Sequence, residues 1–506
     1  MPLNYSFNQK HNWRLRFHLQ TQTGDITDPN GLCQLNGTYH FFHQHRRLWP
    51  DAAHGWGHWE SEDLVSWRWC GSPIMPSCTM DKNGSYSGSA TIHDGQMWCY
   101  YTGNQLLPGK HDYDYSGRLA NEILVVSDGE HYGEKRLVLG NESYPSYCSC
   151  HVRDPKVWEQ DGRWHMLLGA RAKGDRGAVL LYGGEDGLSW KLEGSATNTG
   201  EGTFGYMWEC PNRICLDRRE FLLVCPQGVS KQDFAFQNVH DSGYFPLEGT
   251  VVDALGADPA LMDADGPYPC IDASTFVAWD YGFDFYAPQS FEDEKGRTLL
   301  VGWVGLPDIE TQYDNPTREW THTLTVPRVL SLNEAGLVCQ WPVPEIDVLR
   351  DEPVELVGEG LHGTTGTVGS AKNDEYDLTG AIGAGFAGGA CDLEVTDIQG
   401  DGRILLNGDL ELMVSDGLLE LAFLSPAGAY RTVRRLRVSD LSAGRVTDLR
   451  VLVDTSVVEI YVNGGEKTLT TRWYPERIDL LHVASTLPAT HRAWTMRAAT
   501  FEGTGE

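Results

Sequence analysis

A hairpin unit recurs five times between residues 28 and 303, and this repeat restricts the fold more than any other feature of the chain. In each copy an apolar strand leads into a tight turn and a second apolar strand. The turns lie at Asn36-Gly37, Asp94-Gly95, Asp161-Gly162, Asp217-Arg218 and near Gly296. Asx-Gly pairs are typical of type I′ hairpin turns, because both central residues need a positive φ. Small antiparallel sheets repeated in this way predict a five-bladed β-propeller, which we place at residues 1–338.

The rest of the chain also consists of short strands, but without the repeated hairpin. Residues 340–355 (QWPVPEIDVLRDEPVE) are rich in proline, and we interpret residues 339–355 as a linker with one short helix. Residues 356–506 contain many short apolar runs and no segment of helical period, which predicts a β-sandwich. The predicted fold class is all-β: a five-bladed β-propeller followed by a C-terminal β-sandwich.

The charge balance argues against several kinds of partner. The 506 residues include 70 Asp and Glu against 40 Lys and Arg, a formal net charge of −30. Nucleic acids and anionic membranes both attract basic surfaces, so we expect neither as a partner. No stretch approaches the roughly 20 apolar residues of a membrane-spanning helix, and the N-terminal segment has no secretory signal. We expect a cytoplasmic protein, and the sequence leaves a homo-oligomer open.

The spacing of cysteines and histidines does not predict a metal site. The twelve cysteines include no Cys-x-x-Cys pair, and the cluster Cys148-Ser-Cys150-His151 lacks further ligands at zinc-like spacing. His40, His43 and His45 lie within six residues, without a matching set of acidic or cysteine partners. We interpret these as buried thiols and as strand or loop residues, and we expect neither a metal nor an organic cofactor.

Three acidic residues stand at the heads of first strands in the repeat: Asp28, Asp154 and Glu209. If each first strand is the innermost strand of its blade, these side chains converge on one mouth of the central channel. Asp before Pro is also an ordinary turn initiator, but three acids in one repeat favour a shared site. Retaining glycoside hydrolysis uses one carboxylate as nucleophile and one carboxyl as acid, and a third can stabilise the positive charge at the anomeric carbon.

Side chains that suit a sugar lie near the first of these acids. Aromatic rings stack on the apolar face of a sugar and amides bind its hydroxyls, so Gln44, Trp56 and Trp59 are candidates. The alternative is that the tryptophans pack in the core of a blade, which we expect more for Trp59 than for Trp56.

Short motifs occur in a fixed order along the chain. They are Asp28-Pro-Asn-Gly31, Trp56-Gly-His58, Tyr86-Ser-Gly-Ser89, Arg153-Asp-Pro155 and Glu209-Cys-Pro211, followed by Asp284-Phe-Tyr-Ala-Pro-Gln289 and Thr325-Val-Pro-Arg-Val-Leu-Ser-Leu332. With this set the chain resembles the β-fructosidases of glycoside hydrolase family 32, among them invertases, sucrose-6-phosphate hydrolases, levanases and inulinases. The resemblance covers nearly the whole chain. It implies a propeller with a β-sandwich, no cofactor, and retaining hydrolysis of a terminal β-D-fructofuranoside (sucrose, a fructo-oligosaccharide or a related fructoside) through a fructosyl-enzyme intermediate.

The resemblance also implies roles for individual residues. Asp28 is expected to be the nucleophile, Glu209 the acid/base, and Asp154 the residue that stabilises the transition state. Substrate binding is expected at Asn30, Gln44, Trp56, Ser87 and Arg153.

The chain departs from the family pattern at two places beside the predicted site. The family usually has Trp-Met-Asn where this chain has Asp25-Ile26-Thr27, and Tyr-Asn-Pro where it has His45-Arg46-Arg47. We therefore add Asp25 and Thr27 to the expected substrate-binding residues, and expect the leaving-group side of the site to suit an unusual fructoside. Arg46 and Arg47 could bind a phosphate through their guanidinium groups, but surface arginines on a loop are the favoured interpretation.

Four alternative functions differ from this one in the substrate or in the reaction. A fructosyltransferase would use the same site with a sugar in place of water, and a sucrose-6-phosphate hydrolase would act on a phosphorylated substrate. An arabinan- or xylan-cleaving enzyme on a similar propeller would invert configuration and hold its carboxylates farther apart. A non-catalytic fructan-binding propeller would have no turnover. The motifs at Trp56 and Glu209 speak against the inverting enzyme.

Overall fold

The computed structural model describes residues 13–46, 53–198, 204–256, 270–307, 320–358 and 380–503. β-Strands dominate these ranges, and the α-helix found in them is the five-residue α1, Val251–Leu255. The predicted all-β fold class is confirmed. None of the helices in these ranges has the length and apolar character needed to cross a bilayer.

The strands up to Pro342 form the first part of the fold. They are β1 (Gly24–Leu35), β2 (Thr38–Arg46), β3 (Gly55–Ser61), β4 (Ser66–Trp69), β5 (Ser85–His93), β6 (Gln96–Leu106), β7 (Arg118–Ser127), β8 (Arg136–Leu139), β9 (Cys148–Gln160), β10 (Arg163–Ala172), β11 (Arg176–Gly184), β12 (Lys191–Asn198), β13 (Met207–Leu216), β14 (Arg219–Gln227), β15 (Gly243–Pro246), β16 (Cys270–Ile271), β17 (Val277–Ala278), β18 (Tyr286–Glu292), β19 (Thr298–Val304), β20 (Trp320–Thr321), β21 (Thr323–Leu324), β22 (Arg328–Leu332) and β23 (Val338–Pro342).

Within the described ranges these strands make five sheets, most of whose neighbouring strands are antiparallel. The strand orders are β20-β1-β2-β3-β4, β5-β6-β7-β8, β16-β12-β11-β10-β9, β13-β14-β15-β17 and β18-β19-β22-β23, with β21 also paired to β19. We number these sheets one to five. Their first strands β1, β5, β9, β13 and β18 contact one another in a closed cyclic order. The five first strands therefore surround a common centre.

The predicted turns have the backbone conformation that a type I′ hairpin requires. The φ angles are 52° and 85° at Asn36 and Gly37, 48° and 71° at Asp94 and Gly95, 54° and 75° at Asp161 and Gly162, and 49° and 65° at Asp217 and Arg218. Each turn connects the first and second strands of its sheet, as the sequence predicts.

Neighbouring sheets are held together by apolar cores. Phe42 and Trp56 of sheet one pack in one cluster with Met97 and Tyr101 of sheet two. Equivalent clusters join sheets two and three, three and four, four and five, and five and one. Each sheet thus buries apolar residues against two neighbours, which fixes the position of its first strand at the centre.

The remaining strands form two larger sheets, except that the last of them, β37, joins sheet one. They are β24 (Arg350–Val354), β25 (Val357–Gly358), β26 (Ile382–Ala387), β27 (Ala390–Thr396), β28 (Gly402–Leu406), β29 (Leu410–Ser415), β30 (Leu418–Phe423), β31 (Val433–Arg437), β32 (Leu449–Asp454), β33 (Val457–Val462), β34 (Lys467–Arg472), β35 (Leu480–Ser485), β36 (Thr490–Met496) and β37 (Thr500–Glu502). The strand orders are β24-β36-β27-β32-β33-β34 and β25-β26-β35-β28-β29-β30-β31. Leu393 and Val451 from one sheet and Leu412 and Val483 from the other belong to one buried core.

Most of the segment predicted as a linker has regular structure. β23 is the last strand of sheet five, a 3₁₀-helix covers Pro344–Leu349, and β24 joins the six-stranded sheet. The final strand, β37, pairs in parallel with β4 of sheet one. The chain therefore returns to the first part of the fold at its end.

Candidate active site

Each of the five first strands contains a β-bulge, at which two residues lie opposite one residue of the second strand. The bulged pairs are Thr27-Asp28, Tyr86-Ser87, Asp154-Pro155, Cys210-Pro211 and Ala287-Pro288. A bulge bends its strand and re-aims the side chains beside it. Proline is tolerated there because no ladder hydrogen bond is required of it. The repeat thus includes an irregularity at the central strands as well as a hairpin.

Counted along the strand from the bulge, the three predicted acids occupy three successive positions, which we call levels. Glu209 is the last paired residue before its bulge, Asp154 is the first bulged residue and Asp28 is the second. The expectation that all three hold equivalent positions is therefore wrong in detail, because a bulge cannot be located from the hairpin pattern alone. Their convergence holds, since the charges of Asp154 and Glu209 both act on Asp28.

Asp28 lies in a half-buried position between neighbouring first strands. The Ser87 Oγ donates a hydrogen bond to Asp28 Oδ2 at 2.5 Å, and the Cys210 Sγ lies 4.0 Å from the same oxygen. Burial raises the pKa of Asp28 to about 7, with smaller contributions from the charges of Asp154 and Glu209, and the Ser87 hydrogen bond opposes this rise. Asp28 is therefore the acid of this group that holds a proton most readily.

Asp154 is fixed by its backbone as well as by its side chain. Its φ of 67° lies in the left-handed region, which is costly for a non-glycine residue and must be supported by its surroundings. Its N–H donates to Thr102 Oγ1 at 2.9 Å, and its Oδ2 accepts from the Cys210 N–H at 3.0 Å. Burial raises the pKa of Asp154 to about 6, against the opposing charge of Arg153.

Glu209 has the opposite electrostatic environment. Its Oε1 accepts from Arg153 Nε at 3.1 Å, and its Oε2 accepts from Tyr286 Oη and Gln227 Nε2, both at 2.8 Å. Burial alone would raise the pKa of Glu209, but the Arg153 charge and the hydrogen bonds of Arg153 and Tyr286 outweigh it, and the pKa lies below its usual value. Glu209 is therefore ionised in the free site.

Gln44, Ser87 and Asn30 form a connected group beside Asp28. The Gln44 Nε2 donates to Ser87 Oγ at 3.3 Å and to the Ser85 carbonyl at 3.4 Å. The Gln44 Oε1 is buried and has no hydrogen-bond partner within the described residues. The Asn30 amide, oriented to satisfy both ends, accepts from the Gln44 N–H and donates to the Pro29 carbonyl, both at 3.1 Å. Asn30 thus supports the strand that carries Gln44.

Trp56 and Trp59 both lie in blade cores. Trp56 is completely buried, donates from Nε1 to the Tyr86 carbonyl at 2.9 Å, and packs against Phe42. A Cβ at Gly31 would lie 2.8 Å from the Trp56 ring, so glycine permits this packing. Trp59 is 1% exposed and packs against Trp69. The core interpretation, which we expected more for Trp59 than for Trp56, therefore describes the position of both rings, and no face of Trp56 is exposed for a sugar.

Asp25 and Arg46 pair with each other across β1 and β2. The Asp25 carboxylate accepts from the Arg46 N–H at 2.7 Å, from its Nε at 2.8 Å and from its Nη2 at 2.6 Å. Thr27 is a buried bulge residue next to Asp28. Because Asp25 neutralises Arg46, the structure favours the interpretation of Arg46 as a structural arginine; Arg47 lies outside the described residues.

Three residues at the site were missed by sequence reasoning: Cys210, Gln227 and Tyr286. Tyr286 begins the first strand of the fifth hairpin in the sequence. Like Glu209, it is the last paired residue before the bulge of its strand. Cys210 follows Glu209 in its motif, and its Sγ lies between the carboxylates of Asp28 and Asp154, at 4.0 and 3.7 Å. Gln227 gave no sequence signal, since it reaches Glu209 only through the pairing of β13 with β14.

The site therefore contains three interacting carboxylates, each of which accepts hydrogen bonds from neighbouring groups. It also contains one amide oxygen, Gln44 Oε1, without a partner among the described residues. A family model for the N-terminal domain of glycosyl hydrolases family 32 matches residues 18–342, and its C-terminal counterpart matches residues 422–490. The chain belongs to this family. Like other family 32 glycosyl hydrolases it is an enzyme, and the three acids lie within the matched N-terminal range.

Curated relatives and solved structures agree with this membership. The chain is 32% identical to a sucrose-6-phosphate hydrolase of Bacillus subtilis, over 91% of this chain and 89% of the relative. It is also 32% identical to a raffinose invertase of Escherichia coli, over 92% and 90% of the two chains. Among solved structures, a sucrose-6-phosphate hydrolase from Lactobacillus gasseri matches with a TM-score of 0.77 and 26% identity, covering 97% of this chain and 94% of that one.

Proposed function

We propose that this family 32 hydrolase is a retaining β-fructofuranosidase that cleaves a terminal β-D-fructofuranoside through a fructosyl-enzyme. The observation that carries the proposal is the contrast between two neighbouring acids: Asp28 accepts a hydrogen bond from the Ser87 hydroxyl, whereas Glu209 is held by Arg153, Tyr286 and Gln227. Double displacement needs one carboxyl as nucleophile and one as acid, and different environments allow two carboxyls to take these two roles. The names of the relatives, sucrose-6-phosphate hydrolase and raffinose invertase, support a fructoside as the substrate.

The proposed reaction has two steps. In the first, the Asp28 carboxylate attacks the anomeric carbon of the fructosyl unit while Glu209 gives its proton to the leaving oxygen. In the second, Glu209 takes a proton from water, the water oxygen bonds to the anomeric carbon, and Asp28 is released as a carboxylate. Asp154 accepts hydrogen bonds from fructose hydroxyls and stabilises the positive charge that develops in both transition states.

The proposed reaction needs the proton on Glu209. In the free site the proton lies on Asp28, because Asp28 has the highest pKa of the three acids. Substrate binding supplies the change, because sugar hydroxyls that donate to Asp28 and Asp154 favour their ionised forms. The leaving group also removes water from Glu209, which disfavours its charge. The number of protons in the site stays the same, and only their distribution among the coupled carboxyls changes.

The value of kcat/KM should follow a bell-shaped pH profile with its maximum between about 6 and 7. The active form of the free enzyme carries one proton among its three catalytic carboxyl groups. That proton is lost above the pKa of Asp28, about 7, and a second proton binds below the pKa of Asp154, about 6. Initial rates at low substrate concentration from pH 4 to pH 9 measure both limbs. An alkaline limb displaced to pH 9 would contradict the assignment of the proton to this group.

The architecture proposed for the enzyme is a five-bladed propeller at residues 1–338, a connection at 339–355 and a β-sandwich at 356–506. The cyclic contacts of the five first strands and the cores between successive sheets support the five blades. The common core of the two larger sheets supports the sandwich. A cytoplasmic location and a homo-oligomer stay predictions from the sequence.

A group of cations beside Glu209 favours a second candidate substrate, sucrose 6-phosphate. His151 Nδ1 contacts Arg153 Nη1 at 2.8 Å. Burial and the charges of Arg153, Arg118 and Arg171 lower the pKa of His151 to about 4. Arg171 is engaged by acidic neighbours, whereas the Arg118 Nε is buried without a hydrogen-bond partner in the described part of the chain. Arg118 is therefore the arginine best placed to bind a phosphate.

Substrate comparison tests both candidates. If Arg118 binds the phosphate, Arg118→Ala should lower kcat/KM on sucrose 6-phosphate by about 10- to 100-fold, the range of a lost charge-assisted hydrogen bond, and leave sucrose nearly unchanged. Arg136→Ala, an exposed arginine of the same sheet, is the matched control. Wild-type rates on sucrose, sucrose 6-phosphate, kestose and short inulin or levan oligomers identify the preferred fructoside. Equal losses on both sucrose substrates would exclude a phosphate contact by Arg118.

Hydrolysis and fructosyl transfer differ only in the second step, in which either water or a sugar accepts the fructosyl unit. Products formed at high sucrose concentration separate them: free glucose and fructose in equal amounts indicate hydrolysis, and kestoses indicate transfer.

A further inference from the structure

Three buried side chains on one face of sheet one bring three potential metal-ligand atoms together away from the catalytic acids. His40 of β2 lies directly opposite Glu60 of β3, and His58 is two residues from Glu60 on the same strand. Because side chains alternate along a strand, all three project from the same face. His40, His58 and Glu60 are 3%, 1% and 8% exposed. This cluster is separate from Asp28, Asp154 and Glu209.

The distances in the cluster fit the ligand set of a transition metal ion. The His40 Nδ1 lies 3.0 Å from His58 Nε2 and 3.5 Å from Glu60 Oε1, and the His58 Nε2 lies 3.9 Å from that oxygen. Tetrahedral bonds of 2.0–2.1 Å require ligand atoms about 3.3–3.4 Å apart, which is close to the mean of these three distances. One ion can therefore contact all three atoms with small side-chain movements.

The surroundings of the cluster hold its members in place. The Tyr132 Oη lies 3.1 Å from His58 Nδ1, so the second nitrogen of this ring has a partner while Nε2 faces the cluster. The Phe42 ring stacks on His58 with centroids 4.1 Å apart. Arg68 pairs with Glu60 Oε2 and leaves Oε1 toward the histidines. Outer-shell partners of this kind orient metal-ligating histidines and carboxylates.

We propose that His40, His58 and Glu60 bind one divalent transition metal ion, with water as the fourth ligand. Zn²⁺ is the expected ion. Two imidazoles and one carboxylate suit Zn²⁺ better than Mg²⁺ or Ca²⁺, which prefer oxygen ligands alone. Tyr132 follows β7 of sheet two, so the ion would connect sheets one and two through its outer shell. Its role is to stabilise the fold; it takes no part in the reaction of the three acids.

The signal for this site was hidden in the sequence. The histidines that appear clustered there are His40, His43 and His45, but alternation and pairing select only His40 of these. Its partners come from β3, where Glu60 is brought opposite it by the register of the hairpin. The expectation that the chain holds no metal was drawn from spacing along the chain, which cannot show a cross-strand ligand set.

Metal binding to the full-length protein tests the proposal. The protein is freed of metal with a chelator, and Zn²⁺ is added in a calorimetric titration, with circular dichroism as the check on folding. We expect one Zn²⁺ per chain, a higher melting temperature with Zn²⁺, and loss of affinity by more than about tenfold in both Glu60→Gln and His40→Asn. Added Co²⁺ should show the visible absorption of a tetrahedral ion in the wild type and lose it in both variants.

The control is His93→Gln, which removes the histidine of an exposed His–Glu pair, His93 with Glu159 at 3.1 Å. It should bind Zn²⁺ as the wild type does. Absence of saturable one-to-one binding by the wild type would overturn the proposal, and the cluster would then be a hydrogen-bonded group without an ion. Unchanged Zn²⁺ affinity in folded Glu60→Gln and His40→Asn would equally overturn it, because the ion would then bind elsewhere. None of these readouts depends on activity toward fructosides.

Discussion

Replacing Asp28 with asparagine should lower kcat on the best fructoside by about 10⁴- to 10⁶-fold, the loss expected when a residue that bonds covalently to the substrate is removed. Asparagine has nearly the same shape, and its amide oxygen can still accept the 2.5 Å hydrogen bond from Ser87 Oγ. It cannot form the fructosyl-enzyme, however, because an amide is a poor nucleophile. The change therefore removes the first bond-forming step and keeps the local packing.

Asp241→Asn is the matched control for this variant. Asp241 is buried, and burial raises its pKa to about 7, as for Asp28, but its charged neighbours are Arg434 and Asp280 rather than the catalytic acids. It should retain wild-type kcat. Steady-state rates of both variants, with melting temperatures to confirm folding, make the comparison. Retention of more than a few per cent of kcat by Asp28→Asn would rule out Asp28 as the nucleophile.

The hairpin repeat could be predicted because its signals are local. The backbone of an Asx-Gly turn is determined by two adjacent residues, so Asn36-Gly37 and Asp94-Gly95 locate their turns without any knowledge of the fold. The five first strands followed from these turns. The closure of the sheets around a centre needs the cores between sheets, and those depend on pairs such as Trp56 and Tyr101 that lie far apart in sequence.

The details of the site depended on pairing register, which the sequence shows poorly. Asp28, Asp154 and Glu209 could be selected, but their staggered levels arise from bulges that only the partner strand reveals. Side chains at one level of adjacent sheets contact each other: Ser87 Oγ reaches Asp28, and Cys210 Sγ reaches Asp154.

The contacts of Asp25 and Arg46 could not be predicted from the sequence for a related reason. Asp25 was expected to bind substrate, and Arg46 was interpreted as a surface arginine on a loop, when each was considered alone. In the structure Asp25 and Arg46 lie opposite each other, and Arg46 Nε and Nη2 both donate to Asp25 Oδ2. Charge complementarity across a hairpin becomes visible only when its register is known.

Replacing Glu209 with glutamine should lower kcat/KM on sucrose by about 10²- to 10⁴-fold, the usual contribution of a general acid. The loss should be much smaller on a fructoside with a good leaving group, such as a nitrophenyl fructoside, because that oxygen departs without protonation. Glutamine can keep a hydrogen bond from Tyr286 Oη or Gln227 Nε2, both 2.8 Å from Glu209 Oε2, so the local structure should persist. Rates on the two substrates measure the leaving-group dependence directly.

Glu220→Gln separates the loss of a proton donor from the loss of a buried ion pair. Glu220 is buried and pairs with Arg213, as Glu209 pairs with Arg153, but it lies farther along the hairpin at a turn-side position. This control should lower the melting temperature and leave the ratio of the two rates unchanged. If Glu209→Gln lowers both rates equally, Glu209 acts by holding Arg153 and Tyr286 rather than by giving a proton, and another group must protonate the leaving oxygen.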